Sequence, residues 1–474
     1  MTVAPAGHFT SARPPMARGA TPTNRPAWAS CALNSPLSRR NTLLGISDVR
    51  LDDLPANPVP GLPMLAAATM APDPAAVYRT WRAQWGPVVP VELSDGVLAW
   101  LVLDFEDIQQ VLMGRSVFFS RDVEHWTAFH DGRVRPRTGL HAFFRPRENA
   151  FYTEGEPRVR LRNVVDDAFA SIDETRLVRE VRAACRRLLV QIAPLGSADL
   201  VASYTAAVPA LAVAAMYGLP AQLADRMWQY ATDIFSNTAA AEPAFVGMNA
   251  MLTELITIRR KDPGNDMLSV IVHHDRALTD TELLDTAQMI QSAGHEMSVA
   301  WTTMTLLHLL GDQDFGTRTR SGRLGVDEAL NYVLVHQSPT WHTPARFITE
   351  DTELGGRALH KGEAIVCAVA HATKTVHEGA DLWDASTSRA TLAFGAGVHR
   401  CPAQRVSRLI TKTAVEEVMR GLHTLKLDIE VKDLPFVPGL WARSSATLPV
   451  TYEPGHLTLP AHQAASADWD LVSV

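Results

Sequence analysis

The segment from Leu392 to Gly421, LAFGAGVHRCPAQRVSRLITKTAVEEVMRG, holds the residues best placed to do chemistry. Phe394, Gly395, Ala396 and Gly397 make a glycine-punctuated loop that leads through His399 and Arg400 to Cys401. Pro402 follows, and the first position of a helix favours proline. An apolar helical pattern (Val406, Leu409, Ile410) then runs to a stop near Gly421. A cysteine at a helix start faces unpaired N–H groups and the positive end of the dipole, so its pKa is expected to fall toward the thiolate that ligates metal. The glycines let backbone N–H groups approach the sulfur and a flat group lie against the loop. His399 and Arg400 suit acidic groups on such a molecule. One protein thiolate on one axial site is what haem iron accepts. An inert buried thiol would explain an isolated cysteine, but not the whole pattern F-G-x-G-x-H-x-C.

A second chemical stretch lies in LTDTELLDTAQMIQSAGHEMSVAWTTMTLLHLLG, which reads as one helix. Thr279 and Glu282 form a T-x-x-E capping box, and Gly311 is the expected stop. The span is about 46 Å long and must run through the protein centre. Its middle breaks the pattern. Gly294 costs about 1 kcal/mol relative to alanine in a helix interior, and His295 and Glu296 follow it inside an apolar run. Either the glycine lets something flat come close and the carboxylate has a task, or a packing glycine precedes a solvent-facing pair. The zinc-protease pattern H-E-x-x-H fails here because its second histidine would fall at Val299.

These stretches need positioning elements. Asp73 to Leu93 reads as a helix, a Gly-Pro turn and a strand, and Gly96 to Asp104 as a second strand. DFEDIQQVLM starts a helix on an acidic first turn. Residues 121–150 have no period and mix Trp126, Phe129, Phe143 and Phe144 with Arg133, Arg135, Arg137, Arg145 and Arg147; such a loop either faces a ligand or is a surface loop with core anchors. Helical patterns dominate from Pro157 to Gly311, and short strands recur near Ala345 to Gly356 and Gly362 to Ala370. The balance is mainly α with small peripheral β-sheets.

Composition narrows the class. The chain has 474 residues, 46% apolar, and a net charge of -7, which argues against nucleic acid as a partner. Four scattered cysteines (Cys31, Cys185, Cys367, Cys401) make neither a zinc site nor a disulfide framework and fit a reducing, cytoplasmic setting. The longest apolar run, Val208 to Leu219, is too short for a membrane span. His273, His274, His371 and His377 lack metal-ligand spacing, so a metal-dependent hydrolase is excluded. Residues 1–60 are read as a disordered extension, since Arg, Pro, Ala, Ser and Thr dominate and no acid precedes Asp48; an organelle transit peptide shares that composition. Residues 61–457 are read as one domain and 458–474 as a loose tail.

At Phe394, Gly395, Gly397, His399 and Cys401 the chain resembles the cytochrome P450 family of the soluble bacterial type, from about Asp73 to Pro454. Ala293, Gly294 and Glu296 match the start of that family's central-helix motif A-G-x-E/D-T. Arg346 in RFITEDTELGG resembles the strand arginine that contacts a haem propionate, and Arg158 and Arg162 occupy the H-x-x-x-R positions of a propionate-binding helix. Three positions depart from the family. The E-x-x-R motif before Ser338-Pro339 is replaced by Tyr332 and Val335, the motif threonine by Met297 with Ser298 next, and the glycine two residues past the cysteine by Ala403.

The resemblance implies a P450 fold with haem between the long central helix and the helix after Cys401. Cys401 would be the metal ligand, with Phe394, Gly395, Gly397, His399, Arg346, Arg158, Arg162, Ala293 and Gly294 around haem b. Glu296 and Ser298 would be the catalytic side chains. It implies O2-dependent hydroxylation or oxidative coupling of a small-molecule or peptide intermediate in bacterial specialised metabolism, on electrons from NAD(P)H through a ferredoxin and ferredoxin reductase. The Met297 and Tyr332/Val335 departures leave two other readings, a peroxide-driven oxidase and a haem-binding scaffold without turnover.

Overall fold

The computed structural model describes residues 50–51 and 62–457, apart from 114–117, 137, 236–239, 323–324, 381–383, 385–386 and 389. The expected N-terminal extension, but for Arg50 and Leu51, and the expected tail at 458–474 lie outside the described residues.

The first third of the described chain supplies three strands of the main sheet. Helices α1 (Leu65–Met70) and α2 (Pro74–Trp85) lead to strands β1 (Val88–Ser94) and β2 (Val97–Val102), then to α3 (Phe105–Met113) and β3 (Phe119–Ser120). Asp73 caps α2 through the Ala76 N–H, with Pro74 at its first position. The aperiodic stretch 121–150 carries two short helices, α4 (Thr127–His130) and α5 (Gly139–Phe144). Each is too short to show a period, which is why only a loop is legible there.

Helices follow: α6 (Gly155–Ala170), α7 (Glu174–Ile192), α8 (Ala207–Met216), α9 (Ala221–Phe235), α10 (Ala241–Lys261), α11 (Met267–Val272), α12 (Asp280–Gly311), α13 (Gln313–Arg320) and α14 (Val326–His336), with β4 (Ser197–Asp199) between α7 and α8. Strands β5 (Arg346–Ile348), β6 (Thr352–Leu354), β7 (Arg357–Leu359) and β8 (Ala364–Cys367) precede α15 (Val369–Val376), α16 (Gln404–Gly421), β9 (Lys426–Leu427) and β10 (Pro449–Thr451). Among the described residues no helix is long and apolar enough to cross a membrane.

The main sheet has the order β1-β2-β8-β5-β3. The β1–β2 hairpin is antiparallel, Val88 facing Val102, whereas β2 and β8 run parallel, Trp100 facing Ile365. Both faces are covered. Val89, Val91, Ala99 and Leu101 join Trp126, Phe144 and Phe347 on one side, and Trp100, Val102, Ile365 and Leu359 pack on the other. A strand buried on both faces reads as a continuous apolar run, as VLAWLV does. The largest core forms where α7, α8, α12 and α16 pack together.

α12 runs 32 residues, and its capping box is complete: Thr279 accepts from the Glu282 N–H and Glu282 from the Thr279 N–H. Its end differs from expectation. Gly311 is the last helical residue, and Asp312 caps α12 and also begins α13 by accepting from Phe315 N–H. A side chain at Gly311 would strike Val431 and Leu427, so packing selects this glycine. The helix after the cysteine also starts later than expected, at Gln404, with Pro402 and Ala403 in a turn before it.

Candidate functional site

Cys401 lies at the end of a loop shaped by two left-handed glycines, Gly395 (φ 66°) and Gly397 (φ 67°). Gly397 admits no side chain, because a Cβ there would collide with the Leu112 carbonyl and the Met113 Cα at the end of α3. At Gly395 a Cβ would meet nothing within 4 Å, so that side of the loop is not covered by the described residues. The Cys401 N–H donates to the Phe394 carbonyl (2.9 Å), which folds the loop back on itself. Phe394 meets Trp301 of α12 edge-on, ring centres 5.7 Å apart, so the loop and the central helix share a wall.

The sulfur does not show the expected fall in pKa. Burial pushes the Cys401 thiol up, against the opposing pull of the Ala403 N–H, Arg162 and Arg400. Desolvation outweighs the backbone donor and the two guanidiniums together.

Three guanidiniums are buried around Glu154. Arg121 is 6% exposed, Arg158 7% and Arg346 2%. Arg346 donates from Nη1 to the Phe119 carbonyl (3.3 Å). The Nε of all three, and Nη1 of Arg121, have no hydrogen-bond partner among the described residues. They also repel one another: burial and then Arg346 lower Arg121 to about 9, and burial, with Arg158 adding to it, lowers Arg346. One carboxylate, Glu154, answers them. Its Oε1 accepts from the Arg121 N–H (2.8 Å) and from His399 Nε2 (3.0 Å). Burial resists its ionisation, but His399, the Arg121 N–H and Arg346 hold it below the ordinary range. Burial keeps His399 near 4, so it donates to Glu154 as a neutral ring.

Buried cations with spare N–H groups demand anionic oxygens. One carboxylate cannot satisfy three guanidiniums, and the remaining donors match the two propionates of haem. The residues therefore fit that group: a thiol at the loop end, an uncovered glycine face and an under-neutralised cationic cluster. Arg162 is committed elsewhere, to Asp166 (2.7 Å) and, at 3.4 Å, to the Val398 carbonyl. Arg400 bonds Gln404 (2.8 Å). Arg121 and Glu154 are the residues that sequence reasoning missed. Neither belongs to a motif, and only the fold carries a two-residue strand and a helix start to His399.

In α12, Ala293 is exposed and Gly294, Glu296 and Met297 are half-buried, while His295 and Ser298 are buried. A Cβ on Gly294 would touch only Val213, at 3.9 Å. Burial raises the Glu296 carboxyl and holds His295 near 4. The His-Glu pair is thus not a solvent-facing one. Met297 packs against the core that holds Trp126, Phe144, Trp341 and Trp441, and its sulfur accepts from Thr340 Oγ1 at 3.5 Å. The Ser298 carbonyl accepts from Thr302 Oγ1 (2.8 Å).

The loop arginines are largely engaged. Arg147 bonds the Tyr152 hydroxyl (3.1 Å) and the Ala142 carbonyl (3.0 Å), Arg145 lies over Phe245 (4.7 Å), and Arg133 faces Asp131 (3.5 Å). Arg135 is exposed, and Arg137 lies outside the described residues. At the E-x-x-R positions Val335 is buried, and Tyr332 sits among His336, Phe315 and His308 at 4.5, 4.8 and 5.5 Å. Aromatic packing stands there instead of an ion pair.

No family model matches the chain. The nocardicin C N-oxygenase of Nocardia uniformis subsp. tsuyamanensis is 30% identical over 404 residues, covering 80% of this chain and 97% of that protein. The cytochrome P450 monooxygenase PikC of Streptomyces venezuelae is 28% identical over 396 residues, 81% of this chain and 92% of that one. The chain belongs to the cytochrome P450 family. Solved P450 structures agree. CYP154A1 from Streptomyces coelicolor A3(2) superposes with a TM-score of 0.69 at 30% identity, over 80% of this chain and 98% of that one. CYP154C4 from Streptomyces sp. W2061 gives 0.71 at 25%, over 81% and 96%. This P450 is an enzyme of the monooxygenase class, and the family implies haem, O2 and electrons from redox partners.

Proposed function

We propose that this P450 is a haem-thiolate oxidase that hydroxylates or oxidatively couples a small-molecule or peptide intermediate of bacterial specialised metabolism. Residues 61–457 form its catalytic domain, and the reducing cytoplasm is its setting, which the free thiols of Cys185, Cys367 and Cys401 suit. Electrons come from NAD(P)H through a ferredoxin and ferredoxin reductase. The observation that carries this reading is the joint placement of Cys401 on a glycine-shaped loop and of three buried, under-neutralised guanidiniums beside His399.

Haem, when bound, would supply the activation of O2, favoured by a thiolate ligand. The chain's residues do the rest. Cys401 would hold the iron. Arg121, Arg158 and Arg346 would donate to the propionates, while Glu154 holds His399 and fixes the backbone at Arg121. The Gly294 and Gly395 surfaces leave room for a flat ring. Glu296, its pKa raised by burial, can release or recapture a proton at its carboxyl. Ser298 is the hydroxyl next to it in sequence, about 100° around the helix from Met297. The aromatic cluster around Met297 excludes water and favours apolar or aromatic substrate surface.

Reduced protein should give the red-shifted carbon-monoxide Soret band of thiolate-ligated haem, and Cys401→Ala should lose it. Absence of haem from the purified wild type, or a neutral-ligand spectrum alone, would overturn the reading. If the band is present but a ferredoxin system drives no turnover while hydrogen peroxide does, the peroxide-driven alternative, motivated by Met297, takes its place.

A further inference from the structure

The Tyr332 and Val335 departures raise a mechanical question. In the family pattern a glutamate and an arginine on this helix brace the segment before the cysteine, and here neither charge exists. A different set of contacts joins the same elements. Arg408, just past the first turn of α16, donates from Nη2 to Asn331 Oδ1 of α14 at 2.6 Å, with Nη1 3.8 Å from Asp327. Lys412, one turn on, also pairs with Asp327. The Arg408 guanidinium lies over the ring of Trp301, Cζ 5.5 Å from its centre. Trp301 in turn donates from Nε1 to the Leu330 carbonyl of α14 (3.2 Å) and presses edge-on against Phe394. The Phe394 carbonyl is the acceptor for the Cys401 N–H. A further bond, Thr391 Oγ1 to the Leu334 carbonyl (3.3 Å), ties the approach to the loop to α14.

We propose that Arg408 is the positioning residue for Cys401, fixing the Trp301–Phe394 wall against α14 and so holding the cysteine loop in the absence of the E-x-x-R ion pair. The inference rests on Cys401 being the iron ligand. A planar guanidinium suits this place because one face can lie on the indole while its edge bonds an amide. A lysine can supply the charge but not both contacts. Asp327 is peripheral to the wall, its side chain 42% exposed, and that exposed pair contributes little.

The test is a reduced carbon-monoxide difference spectrum, with the reduction potential as a second readout, on wild type, Arg408→Met, Arg408→Lys, Asn331→Leu and Asp327→Asn holoprotein. Arg408→Met should raise the ratio of neutral-ligand to thiolate-ligated form about five-fold and shift the potential, with far-UV helicity unchanged. Asn331→Leu should move both readouts in the same direction by less, Arg408→Lys should restore part of the thiolate band, and Asp327→Asn should match wild type. If Arg408→Met accumulates no holoprotein, Asn331→Leu decides. A thiolate band in Arg408→Met and Asn331→Leu equal to wild type overturns this inference alone. A wild type without that band overturns it together with the assignment of Cys401.

Discussion

At the scale of single residues, charge without a partner is the site's most informative signal. Arg121 is buried beside Arg346, and two of its nitrogens have no hydrogen-bond partner among the described residues. Arg121→Met keeps most of the stem and removes the charge. Apoprotein should become more stable, by up to about 1–3 kcal/mol, because an unsatisfied buried donor is gone. Haem affinity should move the other way, falling about ten- to a hundred-fold as a charge-assisted bond is lost. Thermal melts of apoprotein and haem titrations check the two signs separately, and equal shifts in the same direction would mean that Arg121 is only a packing residue. Cys401, His399 and Arg346 stood out in the sequence because each belongs to a local pattern. Arg121 and Glu154 did not, since Glu154 takes its meaning from His399, 245 residues further on, and Arg121 takes its meaning from Glu154. The expected fall in the Cys401 pKa was also not what the fold produced, because a sequence shows the donors near a thiol but not what desolvates it.

At the scale of elements, α12 was the most legible part of the chain. Its capping box, its length and its broken middle all follow from residue types, because caps and propensities act within a few positions. Its anchoring was not legible. Glu282 closes the capping box and also takes Arg160 of α6 in a forked pair, so one carboxylate joins two helices. Thr279→Ala should cost about 1 kcal/mol, and Glu282→Ala about twice that, since it frees the Thr279 N–H and the half-exposed Arg160 together. Chemical denaturation midpoints measure both, and equal costs would show that the Arg160 pair contributes nothing. The short helices within 121–150 escaped because a helix of four to six residues has too few turns to print a period.

At the scale of the whole molecule, the buried histidines set the response to acid. Burial is the leading cause holding His295, His308, His336, His342, His371 and His399 near 4 in the folded chain. An exposed imidazole titrates near 6.5. Between about pH 6.5 and 4 the unfolded chain therefore binds protons that the folded one does not, and stability falls as pH falls through that window. The lowered carboxyls of Glu154 and Glu282 add a loss in the same direction at lower pH, while the raised carboxyl of Glu296 opposes it. Melting temperatures of apoprotein should be flat above about pH 7 and drop steeply from pH 6 to pH 4. A melting temperature unchanged across that window would mean that these rings open to solvent readily. His342 illustrates why they resist: it is fully buried, its Nδ1–H donates to the Leu440 carbonyl (2.6 Å), so its Nε2 accepts the Tyr78 hydroxyl proton (2.7 Å), and a second ring proton would reverse that bond and turn the hydroxyl proton out of it.

The crowding of Arg121, Arg158 and Arg346 also bears on the life of the protein in a cell. A chain that folds around mutually repelling cations is poised to be captured by whatever anion completes it, and the capture stabilises only the native form. Newly made chains that meet no haem would spend longer partly open and be removed by proteases. The amount of this enzyme that a cell keeps would then follow its haem supply rather than the level of its messenger.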